Sequence, residues 1–277
     1  MCKKILKAGK YSLNLDSKTH IMAILNITPD SFSNDGCLII DKAVEKAKQF
    51  IDQGADIIDI GGESSRPGAS PVDLEEERNR VIPVIKALAK EIDIPISIDT
   101  YKTQIAKEAL ESGAVIVNNI KGINLDADLL QVVKDFSAAL VLMHMRNNPE
   151  TMQENIEYDD VIADISALLN NSVKQCLDYG ISKENIAIDP GIGFGKTVEQ
   201  NCLILNKLKD FCNMEVPVLI GTSRKSFIGH ILNCEVNNRL NGTIASCCIA
   251  AANGASIVRV HDVKEIKEAL TVVDAIK

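Results

Sequence analysis

Short apolar runs recur along the chain, each only a few residues long and all but one followed directly by a polar or glycine position. They are Ile21 to Leu25, Asp56 to Ile60, Ile96 to Ile98, Val115 to Val117, Ala139 to Leu142, Ile186 to Ile188, Val218 to Ile220 and Ser256 to Val258. Between them lie segments with helix-like apolar spacing, such as Ala43, Ala47, Phe50 and Ile51, or Ile105, Ala109 and Leu110, or Leu168, Val173 and Leu177, the period of a helix with one buried face. Three joints read QGADIIDI, SGAVIVNN and NGASIVRV. Glycine just past a helix adopts the left-handed conformation that stops it, so each joint is a helix passing into a strand. Strands that are apolar throughout are buried on both faces, and their alternation with helices builds a parallel sheet.

Eight such units predict an α/β fold of the (β/α)8 TIM-barrel type, with a doubly wound open sheet as the alternative. The positions after the runs favour the barrel: Asn26, Gly61 with Gly62, Asp99, Asn118, Met143 with His144, Asp189, Gly221, and Arg259 with His261. An open sheet needs such ends only near its switch point, whereas a barrel gathers all eight at one mouth, where the active site lies. Lys3 to Asp16 alternate in strand fashion around Gly9 and predict a small hairpin closing the bottom of the barrel. No domain boundary is visible, so residues 1–277 read as one domain.

Composition narrows the function classes. A net charge of -8, from 38 acids and 30 bases, argues against a broad nucleic-acid surface and requires a local basic cluster for any anionic ligand. The stretch TIASCCIAAANGASIV is rich in small residues and broken by Asn253 and Gly254, a packed helix followed by a strand rather than a membrane span. The N-terminal lysines precede no continuous apolar stretch of the signal-peptide kind. Eight cysteines occur without a C-x-x-C pair, which predicts reduced thiols and a cytoplasmic setting.

The run DPGIGFGKT (Asp189 to Thr197) ends like a phosphate-binding P-loop. That loop requires a glycine where Pro190 stands, and proline has no amide hydrogen to give a phosphate. A dinucleotide motif fails as well, because Gly191, Gly193 and Gly195 are evenly spaced. Lys196 is therefore expected to be dispensable for turnover. The residue of interest in this run is Asp189, at the end of its strand.

The segments AILNITPDSFSNDG (Ala23 to Gly36) and GADIIDIGGESSRPG (Gly54 to Gly68) resemble the two signature segments of dihydropteroate synthases. SIDTYK, VNNIKG, LMHMR, IDPGIGFGKT, GTSRKSFIG and RVHDV follow in that family's order, so the resemblance covers nearly the whole chain. It implies condensation of 6-hydroxymethyl-7,8-dihydropterin diphosphate with p-aminobenzoate, by an SN1-like substitution, to dihydropteroate and diphosphate. Sulfonamides would compete at the same site.

By this resemblance Asp99, Asn118 and Asp189 meet the hydrogen-bond donors of the pterin, Lys225 reaches its carbonyl, Met143 and Phe194 pack on its faces, and Gly221 leaves it room. Asn26, Arg66, Arg259 and His261 take the diphosphate, with Asn26 serving a magnesium ion. Phe32, Ser65, Pro67, Lys225 and Ser226 surround p-aminobenzoate. Asp35 and Arg66 join Asp99, Asp189 and Lys225 as catalytic candidates, and a homodimer is implied. Read without the resemblance, the aspartates could cap helices, Asn118 could satisfy nearby backbone and Lys225 could be a solvated surface group.

The sequence departs from the family pattern at Asn34, which intervenes before Asp35, at Cys37, at Ser65 where threonine is frequent, and at Asn119 where aspartate is usual. Two other readings remain at this point: a pterin-binding methyltransferase domain working with a corrinoid protein, and a catalytically silent pterin-binding barrel.

Overall fold

The computed structural model describes residues 4–27, 36–64, 71–146, 152 and 156–277, with the side chains of 36–39 excepted. A hairpin comes first, β1 (Ile5–Ala8) and β2 (Tyr11–Asn14), followed by β3 (His20–Asn26), α1 (Gly36–Asp52), β4 (Ile57–Gly61), α2 (Leu74–Glu91), β5 (Ile96–Asp99) and α3 (Thr103–Glu111). The chain continues through β6 (Ile116–Asn119), α4 (Ala127–Asp135), β7 (Ala139–Met143), α5 (Val161–Tyr179), β8 (Ile186–Asp189), α6 (Val198–Asn206) and α7 (Leu208–Phe211). It ends with β9 (Leu219–Ile220), α8 (Ser226–Leu232), α9 (Leu240–Ala252), β10 (Ile257–Val260) and α10 (Val263–Ile276).

Among the described residues β3 to β10 form one parallel sheet in the order β8-β7-β6-β5-β4-β3-β10-β9. A bridge between Ile188 and Val218 joins its two outer strands, and Ile188 donates its amide to the carbonyl of Pro217 at 2.9 Å. The sheet therefore closes into the barrel that the eight runs predict. The three glycine joints are as expected: Gly54, Gly113 and Gly254 take φ of 100°, 115° and 102°, where a side chain would be strained.

Strand residues alternate between two cores. Ile21, Ala23, Leu25, Ile58, Ile60, Ile98 and Val117 pack outward into the layer shared with the helices. Met22, Ile57, Ile116, Ala139, Val141, Ala187, Leu219 and Ile257 pack inside the barrel, together with Leu6, Ala8 and Leu15 of the hairpin region. The hairpin thus covers the end where the strands begin, and the opposite end is free for a site.

One detail of the helical pattern is different from its sequence reading. On α5 the buried stripe is Val161, Ile165, Leu169, Ser172, Val173 and Cys176, while Leu168 and Leu177 are 43% and 41% exposed. The stripe i, i+4, i+8, i+11, i+12 and i+15 leaves those two leucines on its outer side.

Candidate active site

The inward positions of the strands change character from bottom to top. Below they are apolar; towards the C-terminal ends they become Asp59, Ser97, Asp99, Asn118, Met143, Asp189 and Arg259. Register brings the mouth residues side by side. Asn26 lies opposite Gly61, Gly61 opposite Asp99, Asp99 opposite Asn118, and Met143 opposite Asp189.

Arg259 crosses from β10 to the far side of β3. Its Nε donates to Asp59 Oδ2 at 2.6 Å and its Nη2 to Asp99 Oδ2 at 2.6 Å. Asn118 Nδ2 also donates to Asp59 Oδ2, at 3.2 Å. The sequence reading assigns Arg259 to a diphosphate and does not single out Asp59, yet Asp59 is fully buried and anchors both Arg259 and Asn118. A signal was available: an acid inside a strand buried on both faces needs a counter-charge, and VRV supplies one. Burial pushes the Asp99 carboxyl up to about 7 despite the opposing charge of Arg259, with Asp59, Glu77 and Glu63 adding to the rise.

Asp189 is buried and its Oδ1 accepts the amide of Gly191 at 2.7 Å, so part of the helix-and-loop role left open for it is present. Its carboxyl is also raised, first by burial, against the pull of Lys225. Lys225 donates to the carbonyl of Ile192 and lies over the ring of Phe194, 4.5 Å from its centre. Burial lowers its ammonium to about 8, with Asp189 holding it up. The solvated-lysine alternative is excluded by these contacts. Met143 and Phe194 share a small apolar cluster with Ile120, Met145 and Met152, apart from the other two cores. A β-carbon on Gly221 would stand 3.8 Å from both Lys225 Nζ and Arg259 Cβ, filling the gap between the two cations.

The backbone before Lys225 is fixed unusually firmly. Arg224 has φ of 56°, which for a side chain of this size persists only where surroundings enforce it. Its guanidinium binds both oxygens of Asp262, at 2.9 and 2.5 Å, its amide donates to Thr243 Oγ1 at 3.0 Å, and its carbonyl accepts Arg239 Nη1 at 3.0 Å. The hydroxyl of Ser223 accepts the amide of His261 at 3.2 Å and lies 2.9 Å from its Nδ1. Ser226 opens α8 and is exposed.

The P-loop-like run is explained by packing. Gly191, Gly193 and Gly195 have φ of 72°, 82° and 62°, and a β-carbon on Gly191 would lie 1.9 Å from the carbonyl oxygen of His144. Thr197 forms a capping box with Gln200 at the start of α6. Lys196 is 3% exposed; its Nζ lies 3.0 Å from His144 Nδ1 and donates to the carbonyl of Phe194 at 2.9 Å. Burial, then the charge of Lys196, pushes His144 down to about 2.

Phe32, Asp35, Ser65, Arg66 and Pro67, with the departures at Asn34 and Ser65, lie outside the described residues. Asn119 is buried and its Oδ1 accepts the amide of Lys121 at 2.8 Å, an acceptor role that an aspartate could also fill. Among the described residues no group of three or more His, Cys, Asp or Glu is arranged to hold a metal ion. A magnesium ion carried by a diphosphate needs less: one neutral oxygen, with substrate oxygens and waters completing its shell. Asn26 fits, its Oδ1 lying at the mouth 3.4 Å from where a β-carbon on Gly61 would stand.

Residues 22–261 match the family described as pterin binding enzyme. A dihydropteroate synthase from Synechocystis sp. is 45% identical over 273 residues, covering 98% of this chain and 94% of the relative. The chain belongs to the dihydropteroate synthase family. Among solved dihydropteroate synthases, one from Yersinia pestis in complex with a sulfonamide drug superposes with a TM-score of 0.92 at 40% identity, covering 98% of each chain. One from Clostridium difficile, solved in the presence of pteroic acid, gives 0.88 at 45%, again over 98% of each. Matches of this length and identity do not favour the methyltransferase or silent-barrel readings.

Proposed function

We propose that this chain is a folate-pathway transferase that joins 6-hydroxymethyl-7,8-dihydropterin diphosphate to p-aminobenzoate, yielding 7,8-dihydropteroate and diphosphate. The observation that carries this reading is the convergence of Asp99, Asn118 and Asp189 with Lys225 and Arg259 at one barrel mouth. A flat heterocycle with ring and amino N–H donors on one edge and a carbonyl beside them is complementary to that set.

Asp99, Asn118 and Asp189 accept from the pterin edge, and Lys225 donates to its carbonyl. Met143 and Phe194 supply apolar faces. Loss of the diphosphate leaves a cation spread into the dihydropterin, which the carboxylates of Asp99 and Asp189 stabilise without reorganising. The aromatic amine then attacks the methylene carbon and loses its proton, so no protein nucleophile is needed. Arg259 and His261 flank the diphosphate, while Arg66, Asp35, Phe32, Ser65, Pro67 and Ser226 serve the second substrate and the leaving group. Magnesium held by the diphosphate and Asn26 would neutralise the leaving charge.

The chain acts as one domain over residues 1–277 and pairs as a homodimer. Supporting the pairing, Leu203, Ile231, Leu232 and Ile249 are exposed on α6, α8 and α9, helices that pack on one another; large exposed apolar residues so grouped mark contact surfaces. Sedimentation should give a dimer that Ile249→Glu turns into monomer; a monomeric parent protein would refute this. Among the described residues no helix is long and apolar enough to cross a membrane. The described cysteines are free thiols, which suits the cytoplasm.

The deciding experiment is release of diphosphate from the purified protein. It should require dihydropterin diphosphate, p-aminobenzoate and magnesium together. Release without p-aminobenzoate, or none with all three, would overturn the reading.

A further inference from the structure

Strand β9 is two residues long, and it pairs with β10 only through Leu219 opposite Ile257 and Ile220 opposite Val258. The backbone ladder ends below the mouth, yet its register continues in side chains. Counting on from Ile220 and Val258 brings Ser223 opposite His261 and Arg224 opposite Asp262. The hydroxyl of Ser223 accepts the His261 amide at 3.2 Å and lies 2.9 Å from His261 Nδ1, and the Arg224 guanidinium donates to both oxygens of Asp262, at 2.9 and 2.5 Å. Two side chains thus lace this turn to the end of β10 where the sheet hydrogen bonds stop.

The laced turn is the one that presents Lys225. The Lys225 amide donates to the carbonyl of Thr222 at 3.2 Å, and the third residue of the turn so closed, Arg224, has φ of 56°, where glycine or asparagine usually stands. Thr243 Oγ1 accepts the Arg224 amide and Arg239 Nη1 donates to the Arg224 carbonyl, each at 3.0 Å. The backbone is therefore gripped from the start of α9 and the guanidinium from the start of α10. Lys225 needs such a grip because it faces a second cation. The charge of Arg259 opposes the Lys225 ammonium, and a β-carbon on Gly221, in the gap between them, would stand 3.8 Å from both Lys225 Nζ and Arg259 Cβ. Like charges this close in a buried site repel strongly, and Arg259 is already fixed by Asp59 and Asp99. A turn free to relax from its positive φ would let Lys225 be the one to move away.

We propose that Arg224 is a positioning residue for the pterin: through Asp262 it holds the turn after β9 against the end of β10, so that the Lys225 ammonium stays aimed into the barrel mouth beside Arg259. This rests on the function proposed above, which assigns the pterin carbonyl to Lys225. Arg224 acts through Lys225, whereas Arg259 keeps its own anchors in Asp59 and Asp99. Loss of the lacing should therefore weaken pterin binding and spare an anion seated on Arg259.

The test measures pteroic acid by calorimetry on full-length Arg224→Met, Asp262→Asn, their double variant and Arg224→Lys, beside the parent protein. Each of the first two should weaken pteroic acid about fivefold or more. The double variant should be no weaker than the worse of them, because both remove one and the same contact. Arg224→Lys should recover part of the loss, since an ammonium cannot reproduce the two-point grip of a guanidinium. Inorganic diphosphate with magnesium should bind every variant within about twofold of the parent protein. Hydrogen exchange should accelerate in peptides spanning residues 221–226 and stay unchanged across residues 96–101, a readout that needs no ligand. Should Arg224→Met fail to fold, Asp262→Asn carries the same expectations. Shifts of opposite sign in the two single variants would show a charge effect and overturn the proposal, as would unchanged pteroic acid affinity with only a lowered Tm. If the parent protein bound no pteroic acid, the pterin reading of the site would fall, and unchanged exchange at 221–226 would by itself refute the lacing.

Discussion

At the scale of single residues, the mouth of the barrel is a set of charges that burial has moved from their ordinary values. Asp99 is the one with a measurable consequence, since its carboxyl sits at about 7 and in the role proposed for it must be ionised to accept from a pterin N–H. Affinity for a pterin ligand should therefore be full above that value and fall as pH drops through it. Between pH 8 and pH 6 the ionised fraction declines about tenfold, and calorimetry should show a similar loss. Asp99→Asn should bind weakly with no such dependence; a parent protein whose affinity is flat over that range would contradict the assignment. Lys196 offers a second case. The P-loop comparison dismisses it, and the structure gives it different work: it is buried with His144 and the Phe194 carbonyl as partners. Lys196→Met keeps the volume and strands both partners, a loss of about 1–3 kcal/mol in chemical denaturation. An unchanged midpoint would show that the pair contributes nothing.

At the scale of elements, each strand presents one face to the helices and one to the barrel interior, and the hairpin closes the bottom of that interior. Leu6 is fully exposed to neither solvent nor helices, being 0% accessible among Met22, Ile57 and Ile116. Leu6→Ala should cost about 2–5 kcal/mol, the range for truncating a leucine in a core that cannot collapse around the cavity. A loss under about 1 kcal/mol would mean that the hairpin is an appendage rather than a plug. The sequence made most of this legible because hydrophobic period and glycine stops are local signals: Gly54, Gly113 and Gly254 mark their joints without any tertiary information. Asp99, Asn118 and Asp189 were legible for the same reason, as the first polar residues after apolar runs. Asp59 was harder to single out, because it lies inside such a run and the counter-charge that a buried acid requires, Arg259, is distant in the chain. Arg224 was hidden more fully. Nothing local distinguishes an arginine bound to Asp262 from one in water.

At the scale of the whole molecule, the two ends of the barrel do different work. The bottom is sealed by apolar packing, and the mouth holds buried charges that are satisfied only in part: Asp59 Oδ1 has no hydrogen-bond partner among the described residues. The groups proposed to bind the pterin come from β5, β6, β8 and the turn after β9, which meet only when the barrel is closed. A pterin ligand can then bind the folded state alone, and its binding energy adds to global stability. With pteroic acid at about a hundred times its Kd the gain is about 2.7 kcal/mol, or roughly 5 °C in Tm for a chain of this size. Asp189→Asn replaces a charged acceptor by a neutral amide and should weaken binding by about 1.5–3 kcal/mol, so at the same ligand concentration most of that shift should vanish. Leu6→Ala separates stability from binding. Its cavity lies at the opposite end from the site, so it should lower the starting Tm and leave the ligand-induced shift intact, as distant sites add independently. Thermal unfolding of the three proteins with and without pteroic acid tests all of this. An equal shift in Asp189→Asn would remove that carboxylate from the pterin site, and a shift lost in Leu6→Ala would show that bottom and mouth are coupled.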